Sequence, residues 1–138
     1  MSRVEGLAEI VLWAADIEVT LAFYRDNFGL ELISPPQIPN KFLRVAAQGA
    51  IPEMIVLVPH PYPDDYFPTH KKKEMRTLHH LAFRVDRRSY DELETAFIEA
   101  GVEVRHGVHP VLKDVRTFYV DDPDGNEIEV IAPVAGTD

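Results

Sequence analysis

The chain has 138 residues, 46% of them hydrophobic, a formal net charge of −9 and no cysteine. That is the size of one ordinary domain with its own core, and the acidity argues against nucleic acid or an anionic membrane surface as a partner. The missing cysteines exclude disulfides, zinc–thiolate sites and thiol nucleophiles. No apolar run approaches the ~20 residues of a membrane span or reads as a secretory signal, so a cytoplasmic protein is expected.

Taken in chain order, EIVLWAAD (residues 9–16) alternates Ile10, Leu12 and Ala14 with Glu9, Val11 and Trp13 and predicts a strand. Asp16 suits a helix N-cap, Ile17, Leu21, Tyr24 and Phe28 recur at helical spacing, and Gly29 suits the left-handed C-terminal position. LELIS, KFLRVAAQ and EMIVLVP, ending at Pro59, predict three further strands. Residues 60–77, HPYPDDYFPTHKKKEMRT, are rich in proline and charge and predict a linker. Its Lys71–Lys72–Lys73 run reads as a solvated loop, or as a lid over an anionic substrate.

The pattern then starts again. LHHLAFRVD (78–86) predicts a strand. Ser89 with Glu92 makes a capping box, Leu93, Ala96, Phe97 and Ala100 form an apolar stripe, and Gly101 ends the helix. VEVRH, VRTFYVD and NEIEVIAP, reaching Pro133, are three more strands. Glu9 to Gly29 spans 20 positions and His80 to Gly101 spans 21, so the chain is an internal repeat. Each unit is too small to bury much core alone. The expectation is therefore one α+β domain over residues 1–138, made of two tandem βαβββ modules (about 5–60 and 78–133). They would form one curved mixed sheet around a concave cup, with helices on the outer face and a small-molecule ligand in the cup.

Strand alternation assigns the faces. Leu81, Phe83 and Val85 share parity with His79 and should lie under the helix, whereas His80 should line the cup. Glu9 lies opposite Ile10, Leu12 and Ala14, and Glu129 opposite Ile128 and Val130, so both should face the cup too. Trp13 shares that face and reads as packing or as a substrate contact. Any one of these residues alone would be an ordinary strand residue. An imidazole and two carboxylates converging in a hollow are costly to bury unless a cation compensates them, and that donor set suits Fe2+ or Mn2+, with Ni2+ and Zn2+ as further candidates.

AADIEVTLAFYRDNFGLEL, LHHLAFRVD, EAGVEV and FYVDDPDGNEIEV together resemble the vicinal oxygen chelate superfamily across residues 5–133. That group includes glyoxalases, bleomycin- and fosfomycin-resistance proteins, epimerases and extradiol ring-cleaving dioxygenases. Asp122–Pro123–Asp124–Gly125 reads as a type I turn leading into the strand of Glu129. The resemblance implies metal ligands at Glu9, His80 and Glu129. It implies a homodimer, and chemistry on a small substrate bearing adjacent oxygens. Glu9 stands where the dioxygenases usually have histidine. Aligning Pro59 with Pro133 sets Ile55 at the place of a fourth, glyoxalase-type ligand, with Glu53 on the same parity.

Tyr119, ten positions before Glu129, matches a proton carrier of the dioxygenase branch, and His106 or His109 resembles its upstream histidine at a longer spacing than that pattern has. The expectation accordingly leans to a dioxygenase-like oxidoreductase. A lyase or isomerase using the same metal, and a non-enzymatic binder of flat molecules, are the alternatives.

Overall fold

In a computed structural model of the chain, the structure describes residues 5–46, 50–60 and 78–134. They belong to two compact units, Met1–Phe67 and Pro68–Asp138. The first holds β1 (Glu9–Ala14), α1 (Ile17–Phe28), β2 (Glu31–Leu32), β3 (Lys41–Ala46) and β4 (Glu53–Pro59). The second repeats it with β5 (Leu81–Arg84), α2 (Arg87–Glu99), β6 (Arg105–Gly107), β7 (Val115–Asp121) and β8 (Glu127–Pro133). Most of the linker expected at 60–77, including Lys71–Lys72–Lys73, lies outside the described residues.

The α+β class and the tandem βαβββ modules stand. The hydrogen-bonded ladders among the described residues stay within each module, giving two four-stranded mixed sheets, β1-β4-β3-β2 and β5-β8-β7-β6, where one sheet was expected. In each, the helical crossover sets the first strand parallel to the fourth, and the remaining neighbours pair antiparallel. No described helix is long and apolar enough to cross a membrane.

Local chemistry starts and stops the helices. Asp16 caps α1, its Oδ1 accepting from the backbone N–H of Glu18 (3.2 Å) and Val19 (3.3 Å), and Gly29 ends it at φ 70°. In α2 the expected Ser89–Glu92 box does not form. Asp86 is the cap and accepts from the Ser89 N–H at 2.7 Å, while Glu92 accepts from Arg88 at 2.8 Å. Asp86, two residues beyond β5, reaches the orphan N–H groups first, so the helix starts two residues before Ser89. The apolar stripe shifts with it. Tyr90 and Phe97 are buried and Ala96 and Ala100 are exposed.

In the first unit Leu12, Ala14, Leu21, Tyr24, Leu43, Ile55 and Leu57 form the core. In the second, Phe118, Val120, Ile128 and Val130 are fully buried, and Phe118 packs edge-on against Tyr90 at 4.9 Å and Phe97 at 6.3 Å between ring centroids. Burying a side chain of this size stabilises the fold by about 1.5–3 kcal/mol. It also fixes which face of β7 and β8 turns away from the helix, and the candidate site is built on that face.

Candidate metal-binding site

Ile128 and Val130 of β8 face α2, so Glu127 and Glu129 project from the opposite side of the sheet. Tyr119 of β7 lies directly across from Glu129, and Asp121 across from Glu127. On the other flank Ala82 of β5 pairs with Glu129, and His80, in the segment just before β5, reaches the same side. His80 Nε2 stands 3.1 Å from Glu129 Oε1, and the Tyr119 ring meets the His80 ring edge-on at 5.7 Å between centroids. Gly107 of β6 lets Tyr119 lie there, because a Cβ at Gly107 would come within 2.8 Å of Tyr119 Cε2.

The electrostatics single out one carboxylate. The Glu129 side chain is only 6% exposed, and its Oε2 is buried with no hydrogen-bond partner. A buried carboxylate oxygen left unpaired costs more than most native structures tolerate unless a cation offsets it. Two donors each about 2.1 Å from an octahedral ion stand about 3.0 Å apart, which matches the His80–Glu129 separation. The residues therefore fit a divalent metal.

Glu127, by contrast, is committed. Arg105 Nη2 donates to Glu127 Oε2 at 3.0 Å and to Asp121 Oδ1 at 2.8 Å. Burial, and then the negative charge of Glu129, raise the Tyr119 phenol above the ordinary tyrosine range, so it stays protonated at neutral pH.

His79 departs from expectation. It is exposed, not under α2 with Leu81, Phe83 and Val85. β5 begins only at Leu81, so the alternation of the strand does not govern the two residues before it. Instead His79 Nδ1 lies 2.8 Å from His80 Nδ1. His79, His80 and Glu127 each offer a ligand atom within 4.8 Å of the others.

His106 and His109, the expected proton carriers, are engaged elsewhere. His106 pairs with Phe118, hence sits on the α2 side of its sheet, and hydrogen-bonds Glu94 of α2. His109 Nδ1 accepts from the Val111 N–H at 3.1 Å and the Leu112 N–H at 2.9 Å, folding its own loop.

In the first unit Glu9 is exposed at the head of β1, with Val11 and Trp13 (54% exposed) on the same face and the Trp13 ring edge-on to His60. The ladder corrects the proline alignment by one residue. Ile10 pairs with Ile55 as Leu81 pairs with Ile128, so the counterpart of Glu129 is Val56, not Ile55. Phe42, paired with Val56, is the counterpart of Tyr119. Glu53 shares the parity of the buried Ile55 and Leu57 and is turned to the helix side. The place equivalent to Glu129 and Tyr119 is thus apolar in the first unit.

Sequence reasoning missed the His79 contact and the Arg105–Asp121–Glu127 network. Opposite charges at one parity on neighbouring strands were the available signal for the network.

A family model described as Glyoxalase/Bleomycin resistance protein/Dioxygenase superfamily matches residues 6–130. Among solved structures, a glyoxalase/dioxygenase from Nostoc punctiforme is 23% identical with a TM-score of 0.74, over 95% of this chain and 92% of that one. The genomically encoded fosfomycin resistance protein FosX from Listeria monocytogenes is 26% identical with a TM-score of 0.68, over 97% and 95%. A variant of that FosX, 21% identical with a TM-score of 0.66 over 96% and 94%, is complexed with Mn(II) and 1S,2S-dihydroxypropylphosphonic acid.

Proposed function

Because the chain belongs to the glyoxalase/bleomycin resistance protein/dioxygenase superfamily, we propose that it is a divalent-metal enzyme whose small substrate presents adjacent oxygen atoms to the ion. The observation that carries this reading is the buried, unpartnered Oε2 of Glu129 beside His80 Nε2. His80 and Glu129 would hold the metal. Mn2+ or Fe2+ is favoured by the hard carboxylate donors and, for manganese, by the complex of FosX. When bound, the ion supplies a Lewis acid for the substrate oxygens.

The chain's own groups do the rest. Glu129 carries the charge that balances the cation. Its burial excludes water from one side of the site. Tyr119, held protonated, offers a proton to an oxygen of the substrate, and Gly107 sets the position of its ring. Arg105 keeps Glu127 and Asp121 paired, so they do not compete for the ion.

Non-oxidative chemistry, an addition or a proton transfer at the activated substrate, suits one protonated phenol flanked by carboxylates. Ring cleavage by dioxygen is the second reading, favoured by Tyr119 standing directly across from Glu129. His106 offers it no second proton carrier, since that ring pairs with Glu94 on the other face.

The test is calorimetric titration with Mn2+ and Fe2+ of the wild type, His80→Ala and Glu129→Ala. It is followed by assay of the loaded protein with epoxides, α-hydroxy ketones and catechols under a dioxygen electrode. The reading expects stoichiometric binding that each substitution weakens. Binding that survives both His80→Ala and Glu129→Ala unchanged would refute it, and oxygen uptake with a catechol would select the second reading.

A further inference from the structure

The two adjacent histidines carry one more consequence. His79 Nδ1 and His80 Nδ1 are 2.8 Å apart, a separation at which one nitrogen carries the hydrogen and the other accepts it. His80 has one further nitrogen, Nε2, facing Glu129. A neutral imidazole bears a single N–H. If His80 keeps it on Nε2, the hydrogen points at Glu129 Oε1 and that nitrogen has no lone pair to give. If the hydrogen sits on Nδ1, Nε2 is free, and the acceptor at Nδ1 is His79.

We propose that His79 is a positioning residue that holds His80 in the Nδ1–H tautomer, leaving His80 Nε2 free for a divalent cation beside Glu129. This rests on the reading of His80 and Glu129 as donors given above. His79 takes the part that a carboxylate or backbone carbonyl plays behind many metal-bound histidines, fixing both the tautomer and the plane of the ring. It acts through its Nδ1 lone pair, so its own hydrogen resides on Nε2.

The same pair of rings argues against the rival arrangement in which His79, His80 and Glu127 form the ligand set. If His79 gave its Nδ1 to the ion, the facing Nδ1 atoms would have to separate, and Glu127 would have to share its carboxylate between the ion and Arg105. The arrangement proposed here breaks neither contact.

The experiment uses the full chain with Mn2+ for affinity and Zn2+ as a diamagnetic probe for nitrogen-15 spectra of the histidine rings. His79→Phe is expected to weaken metal binding about 10- to 100-fold, the range for lost orienting partners. His79→Gln, whose amide oxygen can accept the same hydrogen, should recover most of it. In the zinc-loaded wild type, His80 should show a protonated Nδ1 and a metal-bound Nε2, and His79 an unprotonated Nδ1. Thermal unfolding of both variants confirms that they fold.

Wild-type affinity in His79→Phe would overturn the proposal while leaving the donor set intact. So would loss of binding as complete as in His80→Ala with no recovery in His79→Gln, because His79 would then be a ligand. Wild-type affinity in His80→Ala would overturn both this proposal and the reading it rests on.

Discussion

Replacing Gly107 with alanine adds one methyl group where the Tyr119 ring crosses β6. The new Cβ would stand 2.8 Å from Tyr119 Cε2, 3.7 Å from its Cζ and 3.3 Å from Thr117 Oγ1. Carbon atoms pack at about 3.5–4.0 Å, so ring and strand must part by about 1 Å. Gly107 is not among the glycines at positive φ, so the substitution meets no backbone penalty. By itself it would stabilise the chain by about 0.4–1 kcal/mol through the unfolded state.

Overpacking costs about 1–3 kcal/mol and is the larger effect. Gly107→Ala should therefore destabilise the protein by about 1–2 kcal/mol net. With Tyr119→Ala already in place the colliding atoms are gone, and the same substitution should be neutral or slightly stabilising. Urea denaturation of the four proteins gives the coupling, expected at about 1–3 kcal/mol. A penalty for Gly107→Ala that is the same in both backgrounds would refute the claim that this glycine makes room for the phenol. Under the function proposed above, a phenol displaced by about 1 Å should lose on the order of 100-fold in turnover of the metal-loaded protein.

Phe118→Ala, which empties the space between Tyr90 and Phe97, should cost about 3–5 kcal/mol in urea unfolding; a loss under about 1 kcal/mol would contradict the packing described. Tyr90 is raised above the ordinary tyrosine value, first by burial and then by the charge of Glu94. Its folded pKa thus exceeds the unfolded value near 10, so its contribution is intact below about pH 10 and is lost as pH rises through the folded value. The urea midpoint of the wild type should accordingly fall more steeply than that of Tyr90→Phe above about pH 10, and parallel curves would count against the shift. Arg105→Met strands Glu127 and Asp121 without their cation. It should destabilise by at most about 3 kcal/mol, the low end for buried pairs because these side chains are partly exposed, and Glu127→Gln in the same chain should recover part of the loss.

Much of the architecture was legible in the residues alone because it depends on near neighbours. Alternation in EIVLWAAD, the spacing of Leu21 and Tyr24, the cap at Asp16, and the turn at Asp122–Gly125 are all set within a few positions. The Gly125 N–H indeed donates to the Asp122 carbonyl at 3.0 Å. The same locality misled where two nearby residues competed for one role, as when Asp86 rather than Ser89 took the cap of α2.

That Tyr119 and Glu129 share a face was also foreseeable, since parity along a strand survives folding once its buried face is known. What the sequence could not decide was pairing between distant segments. The ladder, not the prolines, sets Val56 opposite the role of Glu129. His106 pairs with Phe118 and so takes the far face of its sheet, beside Glu94 of α2. The strand begins after His79 and so frees that ring to meet His80. Register and ion pairing are chosen by the free energy of contacts between elements dozens of residues apart, and periodicity within one element carries no information about that choice.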